Sequence, residues 1–482
     1  MLTEDAPRLE NTYASELEGL YAAIQPEGFP DPALLLLNEP LAGELGLDPT
    51  WLQSHGPAVL SGSKTLPGSQ PIAQTYAGHQ FGSFNPQLGD GRAFLMGEVV
   101  TPDGRRFDLQ LKGSGVTPYS RRGDGRAALD SAVREYIVSE AMHALRVPTT
   151  RSLAVVTTGE AVMRQRMSPG AVLTRVASSH LRIGTLEYFA ARQETENVQR
   201  LVQYALRRHY PAQSEAQNPA KALLDEVAKV QAQLVSQWMA LGFVHGVMNT
   251  DNVTLSGETI DYGPCAFMEA YDPQTVFSQV DRGGRYAFGN QPGIGSWNLA
   301  RMAEALIDLL DDSTEAAVEL AQESLQLYRE TFAAAYLAKM RSKLGLTGQH
   351  EAHGELIQDL LDVMKQEGAD YTQTFRKLSR SLLDDSSKPG EALQPWVQRW
   401  KSHLSTADAA QTARAMDAVN PVYIPRNHRV EEALDAALQG DMGPTSTLME
   451  VLGRPFEDQP GRQRFAEPAG ADFGPYSTHC NT

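Results

Sequence analysis

The sequence predicts an α+β protein of two lobes, the first rich in strands and the second mainly helical, with extensions at both ends. Three observations predict it. Through the first 190 residues, short β-prone apolar runs are separated by turn residues. After about residue 187, apolar side chains recur at spacings of three and four, which is helical periodicity. Side chains of matching chemistry also follow one another in a fixed order across both parts. The expected boundary is at residue 190, giving units 1–190 and 191–482.

Ala93 to Val100 is apolar, and Pro102-Asp103-Gly104 is a turn signal before Arg106-Phe107-Asp108-Leu109-Gln110-Leu111-Lys112. The pair predicts a hairpin. Side chains alternate along a strand, so Phe107, Leu109 and Leu111 share one face and Lys112 points to the other. A second hairpin is expected where 153–156 and 161–166 flank Thr157-Thr158-Gly159-Glu160. In the second part, Leu223, Val227, Val230, Leu234, Trp238 and Leu241 predict a helix closed by Gly242, and Leu299 to Leu310 predict another. Residues 211–219 and 386–395 are expected connections. From residue 453 the chain is polar and rich in Pro and Gly, which predicts an extended or mobile tail.

Composition narrows the function classes. With 42 Lys and Arg against 59 Asp and Glu, the net charge of -17 argues against broad nucleic-acid binding. No apolar run approaches the roughly eighteen residues of a membrane span, and the opening residues have no signal-peptide pattern. Two cysteines, Cys265 and Cys480, are too few for a disulfide scaffold and fit a reducing compartment. The expectation is a cytoplasmic monomer without membrane or nucleic-acid partners.

The run His245-Gly246-Val247-Met248-Asn249-Thr250-Asp251-Asn252, followed by Asp261-Tyr262-Gly263, carries the chemistry. A protein kinase writes H-R-D-L-x-x-x-N and then D-F-G. Aligned on His245, the metal-holding Asn is Asn252 and the second metal carboxylate is Asp261, but Val247 stands where the catalytic Asp should be. His245 is read as structural. Asp251 is the nearest carboxylate and is either the general base or an orienting neighbour of Asn252.

Lys112 and Glu135 stand in the order and spacing of the kinase lysine and its helical glutamate, so an ion pair between them is expected. Gly89-Asp90-Gly91-Arg92-Ala93 lies at the mouth of the first hairpin, where Gly89 and Gly91 allow backbone to approach phosphate and Arg92 adds charge; the plainer reading is a turn. The same pentapeptide recurs at 123–127, where Asp124 and Gly125 are either nucleotide contacts or a helix-entry turn. Arg175 and Arg182, if helical, share a face and could clamp a polyphosphate.

Together with Tyr76-Ala77-Gly78-His79-Gln80-Phe81-Gly82, Lys112-Gly113-Ser114-Gly115 and Arg121-Arg122-Gly123-Asp124-Gly125-Arg126, these motifs make the chain resemble the selenoprotein O family over essentially its full length. The resemblance implies a bilobal protein-kinase-like fold, with an N-terminal extension and nucleotide-binding lobe in 1–190 and the catalytic segment and tail in 191–482. It implies transfer of AMP from ATP to Ser, Thr or Tyr hydroxyls of proteins. ATP would bind flipped relative to a kinase, with pyrophosphate as the leaving group. Lys112, Arg175 and Arg182 would hold the distal phosphates, with Gly89, Gly91, Arg92, Asp124 and Gly125 completing the pocket. Asn252 and Asp261 would hold Mg²⁺ or Mn²⁺, and Asp251 would accept the proton. UMP transfer from UTP, a kinase with a displaced base and a silent ATP-binding scaffold are the alternatives. Cys265 and Cys480 are either a redox pair pinning the tail or two free thiols.

Overall fold

The computed structural model describes residues 6–164, 166–384, 389–404 and 408–478. Ten strands lie in the first part: β1 (Tyr21–Ala23), β2 (Ala33–Leu37), β3 (Ile72–Gln74), β4 (Gly78–Gln80), β5 (Ser83–Asn85), β6 (Ala93–Val100), β7 (Arg106–Lys112), β8 (Ala127–Ala128), β9 (Arg151–Met163) and β10 (Met167–Ala177). Eight form one sheet in the order β1-β3-β6-β7-β10-β9-β2, with β8 on β10. β4 and β5 make a separate hairpin. The region is sheet-rich, and the rest of the chain is helical.

The first predicted hairpin forms: β6 pairs antiparallel with β7, Ala93 facing Lys112 and Val100 facing Arg106. Leu109 and Leu111 enter the core between the sheet and the Pro49–Leu60 helix, while Lys112 faces the other side toward Glu135. Alternation alone sets this division.

The second hairpin forms with a different turn. Thr157-Thr158-Gly159-Glu160 is not a turn but lies inside β9, which runs on to Met163; the strands reverse between Met163 and Met167. Gly159 has φ +75, and the β9–β10 register shifts opposite it between Pro169 and Ala171. A glycine kink within a continuous strand thus resembles a turn in sequence.

The helix Pro219–Leu241 buries Leu223, Val227, Leu234 and Trp238, and Gly242 closes it in the left-handed conformation at φ +75. Asn218 caps its start by accepting from Lys221 N. The helix Gln291–Leu310 buries Leu299, Met302, Ala303 and Leu306 beside it. The connection expected at 386–395 falls partly outside the described residues, and a helix begins at Gln394. None of the described helices is long and apolar enough to cross a membrane.

The tail corrects an expectation. Residues 453–478 are not loose but pack on the body. Phe465 is buried, Gln459 donates to Val451 O, and Thr478 donates from Oγ1 to Pro264 O at 2.7 Å. A polar, Pro-rich stretch lacks periodicity, yet isolated Phe and Tyr side chains and backbone bonds suffice to dock it.

Candidate active site

Lys112 ends β7 and Glu135 lies on the helix Leu129–Ala144 behind it. Lys112 Nζ is 2.6 Å from Glu135 Oε2 and 3.2 Å from Asp261 Oδ1, so the expected ion pair exists and extends to the second carboxylate. Arg175 joins from β10: its Nε and Nη2 lie 2.8 and 2.5 Å from Glu135 Oε1, and Nη1 donates to Gln110. Burial works against the charge of Asp261, but Lys112, Arg175 and Arg92 outweigh it and hold its carboxyl well below the usual range. Glu135 is likewise held low, burial being overcome by Arg175 and Lys112.

Arg175 and Arg182 do not share a helix face. Arg175 is a strand residue, facing Gln110 across the sheet, and Arg182 caps the next helix, Ile183–Ala190. β-Branched Thr174 and Val176 favour the extended chain. Arg182 donates to Asp251 O at 3.1 Å, pairs with Asp90 at 3.5 Å and lies over the Tyr76 ring at 4.4 Å. The two arginines thus serve different carboxylates of one cluster.

The run His245 to Asn252 is a buried loop closed by the 3-10 turn Thr250–Asn252. His245 is tied into the loop: its Nε2 donates to Ile260 O, its Nδ1 accepts from Val247 N, and burial lowers its pKa. Asn252 Nδ2 donates to Val247 O at 3.2 Å, which leaves Oδ1 as an oxygen donor. Asp251 is 8% exposed, and burial pushes its carboxyl up to about 6 against the pull of Arg182. Gln80 reaches its Oδ2 at 3.4 Å, while Oδ1 has no partner.

A cavity of about 410 Å³ is lined among others by Arg92, Lys112, Glu135, Arg134, Arg164 and Tyr476; Arg175, Arg182, Asp251, Asn252 and Asp261 are not among its lining residues. Arg92 and Lys112 therefore face one space. Gly89, Gly91, Asp124 and Gly125 are not among its lining residues. A Cβ on Gly89 would overlap the Tyr119 ring, and one on Gly91 would meet Tyr119 O at 2.9 Å. Gly125, at φ +67, packs against the Gly115 backbone. Asp124 pairs with Arg164 at 2.8 Å, and the helix beyond is capped by Ala128, four residues later.

Cys265 is fully buried, and burial pushes its thiol up to about 12. Cys480, its suggested partner, lies outside the described residues.

Residue-by-residue reading assigned no role to several members of the site. Asp90, 2% exposed, holds Arg182 and accepts from Gln74 N. His79 and Thr250 meet on Glu187: His79 Nδ1 is 2.5 Å from Oε1 and Thr250 bonds Oε2. The motif Tyr76 to Gly82 was the available signal; its contacts lie some 170 residues away in sequence, as in His79 N to Thr250 Oγ1.

The cavity gathers Arg92, Lys112, Arg134, Arg164 and Arg166 with Asp130, Glu135 and Glu431, a cation-rich lining that suits a phosphorylated ligand, and the relatives of the chain are nucleotidyltransferases. The chain matches the family model described as protein adenylyltransferase SelO over residues 6–453. It is 52% identical over 484 residues to "Protein nucleotidyltransferase YdiU" of Rhizobium etli (strain CIAT 652), covering 98% of this chain and 97% of the relative. It is 53% identical over 482 residues to the protein of the same name from Cereibacter sphaeroides (strain ATCC 17029 / ATH 2.4.9), covering 98% and 99%. The chain belongs to the SelO family.

Proposed function

We propose that the chain is a protein adenylyltransferase on a bilobal kinase-like fold, its lobes dividing near residue 190, which transfers AMP from ATP to Ser, Thr or Tyr hydroxyls. The observation that carries this reading is the pairing of two carboxylates with opposite environments. Asp261 is held ionised among cations, and Asp251 is buried with its carboxyl raised to about 6, near the working range of a general base.

Asp251 would take the proton of the incoming hydroxyl as its oxygen bonds to the α-phosphorus. The bond to the β-phosphate oxygen breaks and pyrophosphate leaves. Lys112, Arg175 and Arg182 would hold the distal phosphates, with Arg92 beside them and Gly89, Gly91, Asp124 and Gly125 completing the pocket. Glu135 positions Lys112 and Arg175.

Asp261 and the Oδ1 of Asn252 are hard oxygen donors, which fits Mg²⁺ or Mn²⁺. Among the described residues no three His, Cys, Asp or Glu side chains are gathered to hold an ion, so phosphate oxygens of the nucleotide and water would have to complete the shell. Bound there, the ion would neutralise charge on the phosphates.

ATP labelled separately at the α and γ positions tests the proposal. Label transferred from the α position alone is expected. Transfer from γ alone means a kinase with a displaced base, and no transfer means a scaffold. Competition with UTP separates AMP from UMP transfer. A Cys265–Cys480 link belongs to the same proposal, supported by the docking of Thr478 on Pro264. Non-reducing mass spectrometry without the linked peptide, and unchanged activity in Cys480→Ala, would remove it.

A further inference from the structure

The β4–β5 hairpin is fastened to the catalytic turn. His79 N donates to Thr250 Oγ1 at 2.7 Å and Phe81 N to Asn249 Oδ1 at 3.0 Å, with Gln80 on Asp251. Phe81 is held at φ +51, a left-handed conformation that a bulky side chain rarely adopts; the residue is 39% exposed, with its ring centroid 5.1 Å from that of Tyr286. Phe84, three residues on, is 41% exposed and lies 4.9 Å from the His79 ring. An aromatic side chain kept in a strained, solvent-facing position points to a contact, because asparagine or glycine would fold the turn with less strain.

Behind the tip stands Arg285. Its guanidinium packs on Gly82 and lies 4.6 Å over the Trp297 ring, and among the described residues no carboxylate pairs with it. Its Nε and Nη2 are buried without a hydrogen-bond partner, and its guanidinium also lies 5.7 Å from the Tyr286 ring centroid. Arg285 also lines an open surface groove with Gly289, Asn290, Gly293 and Ile294. An apolar tip and a cation with no carboxylate partner among the described residues thus lie on and beside the hairpin whose Gln80 reaches Asp251.

We propose that this hairpin and Arg285 form the dock for the substrate-protein segment that carries the acceptor hydroxyl, an extended stretch with an apolar side chain and a carboxylate near its Ser, Thr or Tyr. The inference rests on the transfer reading above. The carboxylate would answer Arg285, the apolar side chain would cover Phe81 and Phe84, and the hydroxyl would fall beside Asp251.

The test uses the full chain and two fluorescein-labelled twelve-residue peptides. Each has one central serine beside leucine; one carries glutamates and the other lysines. By fluorescence anisotropy, the acidic peptide is expected to bind at least tenfold tighter. Phe84→Ser and Arg285→Gln should each weaken it several-fold and together tenfold or more, and Phe81→Asn, which keeps the left-handed turn, should weaken it as well. Affinity for a fluorescent ATP analogue should stay within twofold in every variant, which reports an intact fold. Equal binding of both peptides, no binding of either, or variants that bind like wild type overturn the dock. So does a dimer in light scattering that Phe84→Ser dissolves, since the face would then belong to a second copy. Binding needs no transfer, so these outcomes are separate from those of the α-label experiment.

Discussion

Both Nε and Nη2 of Arg175 converge on one oxygen of Glu135, at 2.8 and 2.5 Å, while the other oxygen takes Lys112 at 2.6 Å. Arg175 and Glu135 are 4% and 3% exposed, so one buried carboxylate holds two cations, one of which, Lys112, it shares with Asp261. Removing one member of such a group leaves uncompensated buried charge.

Glu135→Ala should therefore cost about 3 to 5 kcal/mol of stability. Urea unfolding would measure it. Lys112 and Arg175 would also lose their positions, so ATP affinity should fall with stability. A loss below about 1 kcal/mol would show that water replaces the carboxylate.

Asp261→Asn and Asp251→Asn should fail differently. Asp261→Asn removes the charge facing Lys112, so the divalent-ion dependence of ATP binding should disappear along with transfer. Asp251→Asn should keep ion-dependent ATP binding and lose transfer by about 10² to 10⁴, the span of a general base. Calorimetry with and without Mg²⁺, beside a transfer assay, separates the two; identical binding defects would reassign Asp251.

Gly78 touches Asp251 so closely that an added Cβ would overlap Oδ1 and lie 2.9 Å from Asp251 Cβ. Gly78→Ala should push Asp251, the proposed proton acceptor, out of place, costing about 1 to 3 kcal/mol from overpacking. Turnover should drop at least tenfold while ATP affinity stays near wild type. Equal turnover would mean that the 3-10 turn shifts without consequence.

Glu258 gives a pH prediction away from the cleft. It accepts from Ser178 and Ser256, yet burial pushes its carboxyl up to about 7. A carboxyl raised on folding holds its proton more tightly in the folded state. Its stabilising contribution is complete below its unfolded value, near about 4.3, and is lost as pH rises through about 7. Glu258→Gln, which stays neutral, should match wild type near pH 4 and be more stable by about 1 to 3 kcal/mol at pH 8. Denaturation midpoints across that range check it, and a gap that does not change with pH would refute it.

The tail makes a fifth prediction. Tyr476 donates to Glu431 at 2.6 Å, accepts from Arg134 at 2.9 Å and lines the cavity. Tyr476→Phe should lose about 1 kcal/mol and release nucleotide faster, measured by stopped-flow displacement. Unchanged release would assign the tail to stability alone.

The sequence by itself determined whatever depends on near neighbours. Alternation put Lys112 opposite Leu109 and Leu111, helical periodicity gave the Pro219–Leu241 helix with its Gly242 stop, and motif order marked the Lys112–Glu135 pair. Where one local pattern served two structures, the reading failed: Gly159 kinks a strand instead of turning it, and Arg175 sits on a strand instead of a helix. Tertiary structure decided what meets across the fold. The contacts of Lys112 with Asp261, Arg182 with Asp251 and the β4–β5 hairpin with the catalytic turn span between 69 and 171 residues. Strand and helix periods fix the direction of a side chain within its own element; only packing those elements around a shared core sets the distance between side chains of different ones.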